Sequence, residues 1–326
     1  MKKLRKIIKY LLIVIVIVLL GGYLFLRFGY PSVSPPEDIK IEANEEILKR
    51  GEYLAEHVML CTDCHSQRDF SMYAGPFDES MKGGGGEPFN EDMALPGTFI
   101  SKNITPYALK DWTDGEIFRA MVAGVNKDGE ALFPIMPYPN YAKMDREDLY
   151  AVIAYIRTLH SVEKDNEPSS ANFPMSLIMR TIPADAEVKN KRPDPANRVA
   201  YGGYLLNAAS CADCHSAREQ GEIVKGMELA GGMEFKFPNG SIVRSANITP
   251  DIKTGIGNWT EEGFVARFRA FNDSIFTPTK LKEGQINTVM PWMRYAGMTD
   301  DDLGAIFSYL KSVKAIKNQV EKYKSN

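Results

Sequence analysis

The sequence predicts a mainly α-helical protein, built as two tandem copies of one helical domain behind an N-terminal transmembrane helix. Three observations carry this prediction. A basic N-terminal stretch runs directly into seventeen apolar residues, Tyr10 to Leu26. Five short motifs recur in one order at an offset near 150 residues. Apolar residues at helical spacing follow capping residues at matching places in both copies.

The N-terminal element comes first. MKKLRKIIK precedes the apolar run, and seventeen residues at about 1.5 Å each lie at the short end of what crosses a bilayer. Tyr10 at one end, with Tyr23, Phe25, Phe28 and Tyr30 at the other, suits the two interfaces. The lysines put the short tail in the cytoplasm and everything after residue 30 outside. A cleaved signal peptide is the rival reading, but its apolar region would be shorter and end in small residues, whereas this run ends in YLFLRFGYP. Both readings export the chain. Residues 1–30 are therefore read as a membrane anchor of the cytoplasmic membrane, and 31–44, with PSVSPP, as a linker.

Charge divides in the same place. Residues 1–30 hold six basic side chains and no acid, which leaves 33 basic against 42 acidic residues, a net −9, for the remainder. Nucleic-acid binding is excluded by that balance, and a partner with a basic docking face fits it.

The repeat is read from its markers. CTDCHSQR at 61–68 returns as CADCHSAR at 211–218, and Asn103-Ile104-Thr105-Pro106 as Asn247-Ile248-Thr249-Pro250. Trp112-Thr113 returns as Trp259-Thr260, and Met136-Pro137-Tyr138 as Met290-Pro291-Trp292. DREDLYAVIAYIRTL from Asp145 returns as TDDDLGAIFSYLKSV from Thr299. The domains run over 45–160 and 197–320, joined by a proline-bearing linker, 161–196, whose FPMSLIM segment is expected to pack on a domain face. In each copy a helix (about 45–59 and 197–209) precedes the cysteine motif, Thr113 and Thr260 start helices, and a last helix opens at Asp145 or Thr299. Asp148 and Asp302, three positions on, suggest capping boxes. The apolar stripe Leu149, Val152, Ile153, Ile156, Leu159 matches Leu303, Ile306, Phe307, Leu310, Val313. So much loop leaves a thin core, which something bulky should help to fill.

The four cysteines supply the chemistry. Cys61 and Cys64, then Cys211 and Cys214, stand at CxxC spacing, followed by His65 and His215. CxxCH is the attachment signature of c-type haem: two thiols add across the vinyl groups and the histidine coordinates iron. Zinc would need two more ligands per site, and a thioredoxin-like redox pair would need a βαβ context. Two motifs in register with a repeat predict two covalently bound haems c. A methionine is the expected second axial ligand, since a soft thioether favours ferrous iron. Repeat alignment singles out Met136 and Met290; Met144 and Met298 also align but abut helix caps. His57 and His160 read as satisfied or exposed side chains. The Asn-Ile-Thr-Pro turns and tryptophans read either as turn and core or as propionate contacts, and Gly83 to Gly86 as a flexible loop.

CxxCH, Gly-Gly, NITP, W-T and MPY or MPW before a capped terminal helix together resemble membrane-associated cytochrome c subunits of bacterial alcohol- and gluconate-type dehydrogenases. The resemblance covers about 50–160 and 200–315. It implies two tandem class I cytochrome c domains, with His65 and Met136, and His215 and Met290, as axial pairs. Those subunits typically carry three haems, and an N-terminal membrane helix differs from their usual tethering. The function implied is electron transfer without catalysis, in the periplasm, from a dehydrogenase or quinol-linked donor to an oxidase or soluble cytochrome. A di-haem peroxidase or small-molecule dehydrogenase is the alternative, and a purely structural subunit of a respiratory assembly a third.

Overall fold

The computed structural model describes residues 2–93, 95–219, 221–237, 240–282 and 284–324. Helix α1 (Lys2–Gly29) has a mean hydropathy of 2.7 over its best 18-residue window and buries none of its residues against the rest of the chain. The chain then runs extended over the first half, where Val33, Ile39 and Ile41 pack on the core and the Ile41 N–H donates to Asp114. The linker expected after the anchor is thus held, not free.

Equivalent elements recur in the two halves. The first contains α2 (Glu45–Tyr53), a single π turn (Leu54–Val58), α3 (Cys61–Cys64), α4 (Pro106–Leu109), α5 (Asp114–Ala123), α6 (Tyr138–Tyr141) and α7 (Arg146–Ile156). Then α8 (Met175–Ile178) lies in the connecting segment. The second half contains α9 (Arg198–Ala208), α10 (Cys211–Cys214), α11 (Glu261–Arg269), α12 (Trp292–Tyr295) and α13 (Asp300–Ser312). Strands are short and antiparallel; Gly97–Ile100 pairs on one side with Pro88–Phe89 and on the other with Ser170–Ala171 from the connecting segment.

The core of each half is a close crossing of its first and last helices, α2 on α7 and α9 on α13. Gly51 and Gly202 make the crossings possible. A Cβ on Gly51 would overlap the carbonyl oxygen of Ala151, and one on Gly202 the carbonyl oxygen of Ala305. Around them Leu149, Val152 and Ile153, and Leu303, Ile306 and Leu310, are buried as their spacing predicts. The π turn also has a sequence cause. Ten positions separate Gly51 from Cys61 but only nine separate Gly202 from Cys211, and the wider turn absorbs the extra residue.

The halves meet about a pseudo-two-fold arrangement of reciprocal contacts. With that one-residue gap, Tyr53 corresponds to Tyr204. Tyr53 donates its hydroxyl to Asp302 at 2.6 Å and accepts from the Thr299 N–H at 3.1 Å. Tyr204 donates to Asp148 at 2.6 Å and accepts from the Asp145 N–H at 3.3 Å. Each tyrosine thereby holds the N-terminus of the other half's last helix. Both predicted caps form, Asp145 accepting from the Glu147 N–H and Thr299 from the Asp302 N–H. The aspartates three positions in do not close capping boxes, because Asp148 binds Arg50, Arg192 and Tyr204 instead.

This junction carries an acid prediction. Burial would raise the Asp148 carboxyl, but Arg50, Tyr204 and Arg192 outweigh it and hold the group below its ordinary value of 3.8. A depressed carboxylate contributes stability above its unfolded pKa and loses it as pH falls through the folded one. The expected result is a loss of unfolding free energy below about pH 4 that is smaller in Asp148→Asn, read by denaturant unfolding across pH. Equal acid loss in both proteins would exclude this carboxylate as the source.

Candidate haem-attachment sites

Each CxxCH motif lies on one short helical turn, α3 or α10, entered through a left-handed residue, Leu60 (φ 56°) or Ser210 (φ 53°). Cysteines three apart on such a turn project from one side, with histidine immediately after. Cys61 and Cys211 are half-buried, while Cys64 and Cys214 keep accessible surface. Protein surrounds the sulfurs densely on their other sides. Burial therefore pushes the Cys61, Cys64 and Cys211 thiols up to about 12 and Cys214 up to about 11. A redox-active CxxC has the opposite shift, toward thiolate.

The two histidines are fixed in the same way. His65 Nδ1 lies 2.6 Å from the Lys102 carbonyl oxygen and His215 Nδ1 lies 2.8 Å from that of Ala246. A carbonyl can only accept, so Nδ1 carries the proton and Nε2 keeps its lone pair. Burial lowers both imidazoles below the ordinary histidine value, so they are neutral at pH 7.

Glycine sets these carbonyls in place. Gly85 donates its N–H to the His65 carbonyl at 2.7 Å, and Gly231 does the same for His215. Both have positive φ, 68° and 75°, and a Cβ would stand 2.6 Å from the Asn103 or Asn247 nitrogen. The Gly83–Gly86 loop is therefore a seat for the histidine turn and not a flexible segment. Ser66 and Ser216, fully buried, add a second tie, Ser66 accepting from the Gly83 N–H of that loop at 2.9 Å and Ser216 from the Leu229 N–H of its counterpart at 3.0 Å. The CHS triplet in both copies was the available signal for these serines.

The Asn-Ile-Thr-Pro turns resolve as structural clamps. Asn103 accepts from the Thr105 N–H and hydroxyl and donates to the Val162 carbonyl at 2.8 Å; Asn247 accepts from Thr249 and donates to the Ile316 carbonyl at 2.8 Å. They tie each last helix's exit to the segment whose Lys102 or Ala246 carbonyl holds the histidine.

Met136 and Met290 sit at equivalent half-buried positions against the core, just before α6 and α12. Met144 and Met298 are buried in the core at 0% and 2% exposure. His57 donates Nδ1–H to the Arg294 carbonyl at 2.9 Å, and its ring packs on Gly297, a satisfied side chain at the junction of the halves. His160 is exposed.

The two sites face a shared junction. Asn140, on α6 of the first half, donates to Asp213 of the second CxxCH turn at 2.7 Å and to Ser210 at 3.1 Å. Its counterpart on α12, Arg294, lies 3.8 Å from Asp63 of the first CxxCH turn and 2.8 Å from Glu79. Within each half, Tyr141 and Tyr295 donate their hydroxyls to the carbonyls of Met59 (3.3 Å) and Ala209 (3.0 Å), just ahead of the two motifs. Cys214 lies near enough to Cys64 to contribute electrostatically to the raised pKa of the Cys64 thiol.

Residues 199–314 match the family model for cytochrome c. The second half is a cytochrome c domain. Along 84% of its length the chain is also 28% identical to the cytochrome c subunit of a quinone alcohol dehydrogenase from Gluconacetobacter polyoxogenes, covering 58% of that protein. It is 29% identical to the gluconate 2-dehydrogenase cytochrome c subunit of Pantoea cypripedii over 84% of the chain and 61% of the relative. A diheme c-type cytochrome of Cereibacter sphaeroides is 28% identical over 79% of the chain and 83% of its own length. The chain thus spans about three-fifths of the first two relatives and is homologous to cytochrome c subunits.

A cytochrome c domain implies covalent haem c, and the donor set fits one. Protonated thiols, a neutral imidazole with its Nε2 lone pair available, and a thioether are the chemistry that the group requires. The Tyr138 hydroxyl, two residues past Met136, is buried without a protein partner, a polar atom that a haem edge could satisfy.

Proposed function

We propose that this protein is a membrane-tethered di-haem cytochrome c that relays electrons and does not itself catalyse a reaction. Residues 45–160 and 197–320 form its two class I cytochrome c domains. Cys61 and Cys64 hold one haem and Cys211 and Cys214 the other. His65 with Met136, and His215 with Met290, are the axial pairs. The relatives' alignments, at 79–84% of the chain, extend beyond the second half and support two such domains.

The observation that carries the proposal is the identical fixing of His65 and His215 by backbone carbonyls at sites that share one junction. When bound, haem supplies a one-electron Fe(III)/Fe(II) couple. The chain's own residues determine how that couple is held. The Lys102 and Ala246 carbonyls set the tautomer and orientation of the imidazoles, as outer-sphere partners of metal-binding histidines do. The reciprocal tyrosine and α6/α12 contacts fix the two sites relative to one another. The relatives named for quinone alcohol and gluconate dehydrogenases support a dehydrogenase or quinol-linked donor, with an oxidase or soluble cytochrome as acceptor. Helix α1 supports attachment to the cytoplasmic membrane, and the lysines at its N-terminal end support domains on the periplasmic side.

With both axial positions filled at each iron, ferrous full-length protein is expected not to bind carbon monoxide stoichiometrically in its native state. One equivalent bound per chain would reveal an open iron and favour a di-haem enzyme such as a peroxidase.

A further inference from the structure

We propose that residues 173–182 are a second membrane contact, lying in the outer interface of the bilayer beside the exit of α1. The proposal rests on the reading of α1 as a membrane anchor. The segment was expected to pack on a domain face, but its apolar side chains point outward: Phe173 is 81% exposed, Ile178 45% and Ile182 37%. What it touches is the end of α1. The Arg180 guanidinium donates to the Arg27 carbonyl at 2.9 Å, to the Leu26 carbonyl at 3.3 Å and to the Tyr30 carbonyl. The last carbonyls of a helix have no intrahelical partner, so one arginine both satisfies them and complements the helix dipole.

Depth follows from that attachment. Phe25 and Phe28, 62% and 77% exposed, close the apolar stretch of α1 within a turn of the carbonyls that Arg180 binds. An element gripping those carbonyls lies at the level where the helix leaves the hydrocarbon, where aromatic residues and arginine are favoured. Composition agrees: 171–184 (ANFPMSLIMRTIPA) has no acidic residue, in a chain whose part beyond residue 30 is net −9. The segment is also strapped at both ends. Ser170–Ala171 pairs with Gly97–Thr98 of the first half, and Asp185 accepts from the Ser34 N–H at 2.8 Å and hydroxyl at 3.0 Å. A short apolar turn fastened to both the anchor and the first half would fix the tilt of that half against the membrane, which a single flexible tether cannot do.

The test places a p-benzoyl-phenylalanine photoprobe at Phe173, at Leu19 within α1, and at exposed Ile252 in the second half, each in the full-length holoprotein in native membranes. Irradiation is followed by mass analysis. The expected result is a shift of one phospholipid mass at positions 19 and 173 and none at 252. A lipid adduct at 19 with none at 173 would overturn the proposal and leave the anchor standing. Crosslinking from 173 to a polypeptide, either a partner or a second copy, would overturn it in favour of a protein interface. Absence of lipid adducts at both 19 and 173, with the protein in the soluble fraction, would overturn the anchor reading itself.

Discussion

Gly51→Ala and Gly202→Ala are each expected to cost about 3 kcal/mol or more of unfolding free energy, despite alanine being the better helix former. A Cβ at Gly51 would overlap the Ala151 carbonyl oxygen and lie 2.5 Å from its carbon; at Gly202 it would overlap the Ala305 oxygen and stand 2.9 Å from the Ile306 nitrogen. Backbone cannot swing aside as a side-chain tip can, so the helices must separate and the packing of Leu54, Leu149 and Ile153, or Leu205, Leu303 and Leu310, must loosen with them. Gly263, in α11, supplies the control. Its added Cβ would meet only the Thr260 hydroxyl at an ordinary 3.4 Å, so Gly263→Ala is expected to be neutral or stabilising by about 0.5–1 kcal/mol. Denaturant unfolding of the three variants measures the difference. Gly51→Ala behaving like Gly263→Ala would mean that the crossing is not this close.

Met136→Ala and Met290→Ala carry the largest expected functional effects. Each removes one proposed thioether and leaves its partner site untouched. One of the two redox steps is expected to fall, by on the order of 0.1 V or more within the roughly 0.8 V range that axial ligands span. The altered iron should gain stoichiometric carbon monoxide binding, while the other step stays where it was. Met144→Ala and Met298→Ala make the contrast: those side chains are 0% and 2% exposed in the core, so the expected cost is about 2–5 kcal/mol of stability with the haem spectra unchanged. Loss of the sulfur–iron absorption in Met144→Ala, and not in Met136→Ala, would move the assignment to the buried pair.

Much of this organisation is legible in the sequence because it depends on local rules. Capping residues Asp145, Thr299, Thr113 and Thr260 start helices where expected, and the apolar stripes of α7 and α13 face inward. The haem-attachment motifs are local as well. What was hidden depends on tertiary placement. Tyr53 and Tyr204 correspond only when a one-residue gap is allowed, and nothing local says that each reaches the other half's last helix. Asp148 looked like a capping-box partner, but Arg50 and Tyr204 compete for the same oxygens. The glycine loop before the first NITP turn read as flexible because glycine permits both freedom and tight left-handed turns; contact with the His65 carbonyl decides between them. FPMSLIM read as packing on a domain face because apolar residues usually find such cover, and α1 gives it a different neighbour.

The central claim is that one chain holds two haems, each with histidine and methionine on iron. Its most direct test is a spectroelectrochemical titration of the purified full-length protein, with haem quantified as the pyridine haemochrome. Two haems per chain, two high-potential one-electron steps and a ferric methionine-sulfur charge-transfer band in the near-infrared are predicted. One haem per chain, a low-potential step or a high-spin ferric spectrum would contradict it.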